Sequence, residues 1–482
     1  MPIRPVVANK NGGGQFRGPE GYKQSAEYQI ELFNEGISPV AVVSAPYGLT
    51  DKLIEAEEPF YPGEVSIKDI SDNIREISEP VIKELGSVNG HDAERDIEAE
   101  IKDLRELLEG RSDSDKYRTH AKGERISGIL LKYNIREQGF DAVWFDGYDM
   151  IRASPLGEIL PGTFFEIIPN ALNGHLNPRL YRIPIVCGFG AREIGTDRYI
   201  QLGRNSSDYT GAAVAKAMNA DRYEIIKEEV VFRADPKFLR EAYGGKISEE
   251  LEKILKLSKL SYSEGVELTS KGAKVVHPMA IDLCEEAGIP IHVKTLGKNS
   301  ECTVIGKESE TSKNNPVAAL YVSTIPVISV KDRKMATPEG RGYLSDTSRI
   351  LANQDVDVIN TSDSSTSLSL IVSKDENNGF PIETIMDGML GEIGRHPSGI
   401  IQDEVGYICI VGEGMKDRPG TTSRMLDVLK KKGISIRAIS QCDEHADTPA
   451  INISISPEYI NAAIREFCDA GIFSTEFWEN GR

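Results

Sequence analysis

Short uninterrupted apolar runs alternate with amphipathic stretches over roughly the first 300 residues. Pro39 to Ala45 (PVAVVSA), Arg182 to Ala191 (RIPIVCGFGA) and Pro290 to Leu296 (PIHVKTL) are such runs, the pattern of strands buried on both faces of a parallel sheet. Between them, Ile97, Ile101, Leu104 and Leu108 recur at spacings of three and four with charges elsewhere, predicting a helix with one solvated face. Strand and helix in alternation predict an α/β fold, a mostly parallel sheet covered by helices, with ligands gathering at the strands' C-terminal ends. Lys10, Ser44, Gly190 and Arg204 each fall just beyond a predicted strand, and so are expected to converge at one edge.

After Lys307 the polar stretch KESETSKNNP breaks this pattern, as a linker or loop does. Beyond it lies an internal repeat: Gly342 and Gly420, Leu351 and Leu429, and Val356 and Ile434 stand at one constant offset. Each copy reads as strand, glycine turn, amphipathic helix and second strand. Each then continues into an alternating strand, Leu368/Leu370/Val372 in the first and Ile451/Ile453/Ile455 in the second.

A length of 482 residues fits about three domains at the usual ~150 residues each. The net charge of -19 disfavours nucleic acid or anionic lipid as partner, since both attract clustered Lys and Arg. A small molecule is the better partner. No apolar run reaches the ~18 residues of a membrane span and the first residues lack a signal-peptide core, so a cytoplasmic protein is expected. The six cysteines, Cys187, Cys284, Cys302, Cys409, Cys442 and Cys468, lack pairing or ligand spacing and are expected to be free thiols without a metal.

The candidate chemistry begins at Leu202 to Ala217 (LGRNSSDYTGAAVAKA), where Arg204, Ser206, Ser207 and Asp208 share a turn that opens a small-residue helix. Such a turn presents N–H groups, hydroxyls and a guanidinium to an anion. It reads equally as a Ser/Asp helix cap. The run KNGGG, with Gly12, Gly13 and Gly14 after Lys10, is either a phosphate-accepting turn or a flexible stretch near a terminus. The helical pattern that follows it, PEGYKQSAEYQIELF, favours an ordered turn. Gly188 and Gly190 do not make a dinucleotide fingerprint, because Glu193 takes the third glycine position. There is no Walker A loop.

Five segments in order, VVANKNGGGQ, AVVSAPYGLTDKLI, GERISGILL, LGRNSSDYTGAAVAKA and SKGAKVVHPMAI, resemble the aspartokinase family. The repeat resembles that family's tandem of ACT modules, βαββαβ units that sense amino acids. The resemblance implies an amino-acid-kinase catalytic domain over 1–306 and ACT-like domains over 307–398 and 399–482. It implies transfer of the ATP γ-phosphoryl group, with Mg²⁺, to the side-chain carboxylate of L-aspartate. Lys10 and Asp208 are then catalytic. Ser44, Thr50, Glu124, Arg204 and Ser207 bind substrate, with Arg204 on the α-carboxylate and Glu124 on the ammonium group. Gly12, Gly13, Gly14, Lys227, Arg233, Asp235 and Lys274 bind nucleotide, while His277 shapes a turn.

In the first repeat, Gly342 and Leu344 at a loop-to-helix turn and Asp357, Asn360, Thr361 and Asp363 on the following strand are the implied effector site, for lysine first and threonine second. A homodimer or a dimer of dimers is the expected assembly. The chain departs from the family where Thr-Asp-Val-Asp-Gly-Val-Tyr-Thr-Ala-Asp-Pro is replaced by the shorter KEEVVFRADP, which keeps only Ala234, Asp235 and Pro236. An acyl-phosphate-forming kinase of another amino acid and a non-catalytic amino-acid sensor are the alternatives.

Overall fold

A computed structural model describes residues 4–56, 66–110, 116–155, 157–196, 198–202, 206–270, 273, 275–297, 300–337, 341–353, 356–372, 388, 397–416, 418–441 and 448–479. Arg204, Lys274 and Cys442 lie outside the described residues. The chain forms two compact units, one of Met1–Val231, Ser258–Val266 and Lys274–Glu308, the other of Phe232–Leu257, Glu267–Ala273 and Ser309–Arg482. Phe232–Leu257 and Glu267–Ala273 thus group with the second unit although they precede residue 307 in sequence.

The first unit is built on strands β1 (Val6–Asn11), β2 (Ser38–Val43), β3 (Asp141–Asp146), β4 (Arg152–Ala153), β5 (Arg182–Cys187), β6 (Gly190–Glu193), β7 (Tyr199–Gln201), β8 (Arg222–Ile226), β9 (Lys259–Ser261), β10 (Ile291–Lys294) and β11 (Cys302–Gly306). Eight of them form one sheet in the order β3-β5-β2-β1-β8-β10-β11-β9, and β4-β6-β7 form a small second sheet. From β3 through β10 every pairing in the large sheet is parallel, and β11 turns antiparallel on β10.

Every residue of β2 is buried, as are all but the first of β1, β5 and β8, which is why these strands read as continuous apolar runs. One layer over the sheet comes from the helices Ile67–Lys83, Ser87–Gly110 and Lys122–Glu137. Ile97, Ile101, Leu104 and Leu108 join Ile129, Leu130, Ile183 and Ile185 in a single core. The small residues Ala212 and Ala213 are wholly buried in the helix Ser206–Ala217, so that helix lies close on the strands beneath it.

The second unit carries β12 (Ala319–Lys331), β13 (Val358–Ser364), β14 (Ser367–Val372), β15 (Gly399–Val411), β16 (Ile436–Gln441) and β17 (Ala450–Ile455). They form one antiparallel sheet, β13-β14-β12-β15-β17-β16. The repeat is visible in detail. The helices Tyr343–Ala352 and Thr421–Lys431 both follow a left-handed glycine, Gly342 at φ 90° and Gly420 at φ 83°. The irregularity at Val358/Asn360 in β13 recurs at Ile436/Ala438 in β16. The two modules are not separate beads, however. β12 and β15 pair along all 13 residues, from Ala319↔Val411 to Lys331↔Gly399, so each module's long strand runs on beside the other module. The edge strands also approach one another, with Asn360 Nδ2 donating to Ser440 Oγ at 2.8 Å.

Candidate active site

Lys10 is the penultimate residue of β1, and its Nζ lies 2.8 Å from Oδ1 of Asp208, with both side chains at least nine-tenths buried. Asp208 sits in the first turn of Ser206–Ala217. That turn is held in place by Ser206 Oγ, which donates to the Phe189 carbonyl at 2.8 Å. Phe189 itself has φ 92°, a strained value for a residue other than glycine and the kind of strain that collects at functional sites. The other carboxylate oxygen of Asp208, Oδ2, accepts from the His277 N–H at 3.3 Å. Burial opposes the charge on Asp208, yet Lys10 and then Lys227 outweigh it, leaving this carboxyl below its ordinary range. Asp208 is therefore a fixed anion flanked by cations. His277 caps the helix Pro278–Ala287 through Nδ1, which accepts from the Met279 N–H at 3.2 Å.

Lys227 follows the end of β8, and its Nζ donates to the Val275 carbonyl. Burial pushes its ammonium group down to about 8, against the pull of Asp208 and with a further push from Lys10. The glycine turn is ordered and tied to the same strand ends. Gly12 N–H donates to Ile226 O at 3.2 Å, and Gln15 and Phe16 close back on Gly12 and Gly13 at 3.0 Å each. A side chain at Gly13 would stand 2.7 Å from the Ala45 carbonyl, so only glycine lets the turn pack against the loop after β2.

Ser44 directly follows β2 and donates its N–H to Asn11 O at 3.1 Å. Thr50 lies in the helix Leu49–Glu55. Ser207 is buried beside Gly188. Glu124 sits in the first turn of Lys122–Glu137, 3% exposed. Its Oε2 has no hydrogen-bond partner among the described residues. Burial raises its carboxyl to about 8, opposed by hydrogen bonds from its own and the Ala45 backbone and by the charge of Lys10, and reinforced by Asp146. A buried acid with a vacant oxygen, within the field of Lys10, suits an incoming cation such as an ammonium group.

Arg233 and Asp235 belong to the second unit. There the Arg233 guanidinium donates to Ile254 O at 3.0 Å and Ala318 O at 2.9 Å and pairs with Glu310. Asp235 Oδ1 caps the helix Pro236–Ala242 from the Lys237 N–H at 2.7 Å. Of the effector residues, Gly342 opens its helix, Leu344 is half exposed, and Asp357, Thr361 and Asp363 face solvent. Asn360 is occupied with Ser440.

A charged network behind Glu124 escapes sequence reasoning. Arg125 Nε donates to Asp146 Oδ2 at 2.7 Å, and Lys122, 1% exposed, pairs with Glu100 at 2.5 Å and with Asp103. The available signal is Asp146 itself, an acid that closes the apolar run AVWF, as Lys10 is a base at the end of a predicted strand.

The amino acid kinase family model matches residues 10–295, and an ACT domain model matches residues 408–466. The chain is 27% identical to an aspartokinase of Mycobacterium tuberculosis over 332 residues, 66% of this chain and 73% of that one. It is 26% identical to an aspartokinase of Geobacillus stearothermophilus over 363 residues, 72% and 79%. Among solved structures, E. coli aspartokinase III in complex with aspartate and ADP superposes with a TM-score of 0.76 at 21% identity, covering 96% of this chain and 99% of that one. The Clostridium acetobutylicum aspartate kinase superposes with a TM-score of 0.72 at 21% identity, covering 97% and 100%. With its parallel sheet, its Lys10–Asp208 pair at the strand ends and a family match over more than half its length, the chain belongs to the amino acid kinase family.

Proposed function

We propose that the chain is an aspartate kinase, transferring the γ-phosphoryl group of Mg·ATP to the side-chain carboxylate of L-aspartate to give 4-phospho-L-aspartate. The observation that carries this reading is the buried Lys10–Asp208 pair beside the glycine turn. Both reactants are anions, and the acceptor carboxylate, with an ordinary pKa near ~4, is already ionised at neutral pH. The barrier is charge repulsion, so positioned cations take the place of a general base. Lys10 supplies the ammonium group that draws the phosphoryl oxygens in, and Asp208 holds that ammonium in place. Glu124 receives the substrate ammonium group, and Arg204 its α-carboxylate. Asp208, engaged by Lys10 and the His277 N–H, would orient Lys10 and help hold Mg²⁺, which would supply further positive charge against the phosphates.

The same reading includes a cytoplasmic homo-oligomer regulated by an amino acid, lysine before threonine, at the Gly342 turn of the first ACT-like module. The boundaries that go with it are 1–306, 307–398 and 399–482. It is tested by incubating the full chain with Mg·ATP, hydroxylamine and a panel of amino acids. Aspartyl hydroxamate is expected, falling about 100-fold or more in Lys10→Ala. Product from glutamate but not from aspartate moves the reading to another acyl kinase. A melting shift with lysine or threonine but none with Mg·ATP moves it to a sensor.

A further inference from the structure

Within the second unit, the helix Thr421–Lys431 and the C-terminal helix Thr475–Glu479 line a groove of about 910 Å³, a volume that suits a small ligand. Gly420, Arg424, Asp427 and Lys431 recur there at spacings of three and four, one face of the first helix. Lys430, Lys313, Arg418 and the aromatic pair Phe477 and Trp478 also line it. The lining thus carries five cations against the single acid Asp427, in a chain whose net charge is -19. Both guanidinium groups are held by backbone. Arg424 Nη1 donates to the Phe477 and Trp478 carbonyls at 2.8 Å each, while its Nη2 and Nε have no partner among the described residues. Arg418 donates to the Lys313 carbonyl at 2.6 Å and to the Trp478 carbonyl. Carbonyls orient these groups without cancelling their charge. The ammonium groups of Lys313, Lys430 and Lys431 carry no ion pair among the described residues, although the adjacent Lys432 pairs with Glu466 at 2.8 Å.

The first copy of the repeat forms the same helix without this charge. At the offset that matches Gly420 to Gly342, Arg418, Arg424, Lys430 and Lys431 stand where the first copy has Gly340, Asp346, Ala352 and Asn353. Asp427 stands where it has Arg349. Folding of the module therefore leaves the four cations unexplained. The helix dipole accounts for Lys430 and Lys431 in the last turn, but Arg418 precedes the helix and Arg424 is its fourth residue, at the end that favours anions. Like charges gathered at one groove repel one another, and an anion between them removes that cost.

We propose that this groove binds an oligophosphate anion, inorganic or carried on a nucleoside, and that it shares no residue with the kinase site or the Gly342 turn. Guanidinium forks grip phosphate oxygens bidentately and ammonium groups add point charges. From Gly420 to Lys431 the helix rises about 16 Å at 1.5 Å per residue, so the cations repeat along the groove and match a ligand whose own charges repeat. A single carboxylate would answer only one of them. The assignment does not depend on the kinase reading.

Trp478 reports on the groove, because the Arg418 and Arg424 guanidinium groups stand 5.2 and 5.7 Å from its ring centre. The chain has two tryptophans, so Trp144→Phe leaves Trp478 as the sole fluorophore of its kind. The full chain carrying that change is titrated with metal-free inorganic tripolyphosphate and with citrate at pH 7.5 and fixed ionic strength. A saturable change in tryptophan fluorescence is expected with tripolyphosphate, weakening as salt is raised. Its Kd is expected to rise at least about tenfold when Lys313, Lys430 and Lys431 are all replaced by Gln, and to stay within about twofold in Lys10→Ala. Metal-free ATP binding more tightly than tripolyphosphate in the Lys10→Ala background identifies a nucleoside polyphosphate as the ligand. Equal or weaker binding identifies the inorganic chain.

The three lysines are exposed, so their replacement tests charge and leaves the fold intact. An unchanged Kd in that variant overturns the proposal, and so does citrate binding as tightly as tripolyphosphate. Loss of the fluorescence change in Lys10→Ala places the anion in the kinase site and also overturns it. If Trp478 stays silent, calorimetric titration of the same variants decides: equal stoichiometry with and without the three lysines overturns the groove and leaves the kinase reading standing.

Discussion

The Lys10 ammonium group and the Asp208 carboxylate form a buried ion pair at 2.8 Å, and the carboxylate also accepts the His277 N–H and feels the charge of Lys227. This asymmetry predicts unequal mutants. Asp208→Asn leaves two cations facing each other without a counter-charge, a loss of about 3–5 kcal/mol. Lys10→Met leaves Asp208 with Lys227 and the His277 N–H, so its loss is expected to be less than half as large. Thermal melts of both variants at pH 7 and fixed ionic strength check this. A Lys10→Met melting point at or below that of Asp208→Asn contradicts it.

Glu124 makes stability depend on pH in the direction opposite to a surface acid. Its carboxyl is raised from 4.5 to about 8 in the folded chain. Between those values the unfolded state has released the proton that the folded state keeps. Stability from this group is therefore complete below pH 4.5 and is lost as pH rises through 8, at about 1.4 kcal/mol per unit in between. Glu124→Gln carries no such penalty. The variant is expected to melt progressively higher than wild type as pH climbs from 5 to 8.5, while its aspartate KM rises at least about tenfold. A melting difference independent of pH would show that this carboxyl is ionised in the fold.

Gly13→Ala is expected to separate binding from folding. The added methyl group would stand 2.7 Å from the Ala45 carbonyl, which is backbone and cannot rotate away. The turn must shift, and with it the spacing between Lys10 and the loop after β2. The turn lies outside the regular elements, so the melting point should fall by only a few degrees. The KM for Mg·ATP should rise by about tenfold or more, a displacement of roughly 1 Å being enough for losses on that scale. Steady-state kinetics with ATP varied check it, and an unchanged KM shows that the turn does not approach nucleotide.

What was legible in the sequence was local. Apolar runs marked the strands because both of their faces are covered, and the constant offset marked the repeat because each copy must bury one helix face. Lys10 and Asp208 stood out through their neighbours, a glycine turn and a small-residue helix. The family resemblance marks Lys227 for nucleotide, but its place near Asp208 is not legible locally, since it depends on the parallel register of β1 with β8. Arg233 stood only a few residues further on, but its bonding to Ala318 and Glu310 comes from a segment far along the chain. Periodicity reports which face of an element is covered and never by what. For the same reason the repeat revealed two modules without revealing that β12 and β15 run through both.

The two left-handed glycines provide the last test, because they hold matched positions in the repeat. Gly342 and Gly420 have φ near 90° and 83° with ψ near zero, immediately before the first residue of each helix. An L side chain there costs roughly 1–2 kcal/mol, and nothing lies within 4 Å of Gly420 to clash with an added methyl group. Gly342→Ala and Gly420→Ala should therefore both lower stability through backbone strain. Their effects on regulation should differ. If the amino-acid effector's carboxylate docks at the Gly342 turn, Gly342→Ala weakens inhibition by lysine or threonine at least about tenfold and Gly420→Ala leaves it within about twofold. Dose–response curves for both variants, normalised to their uninhibited rates, decide between the modules. Loss of response in Gly420→Ala alone would move the effector to the second copy.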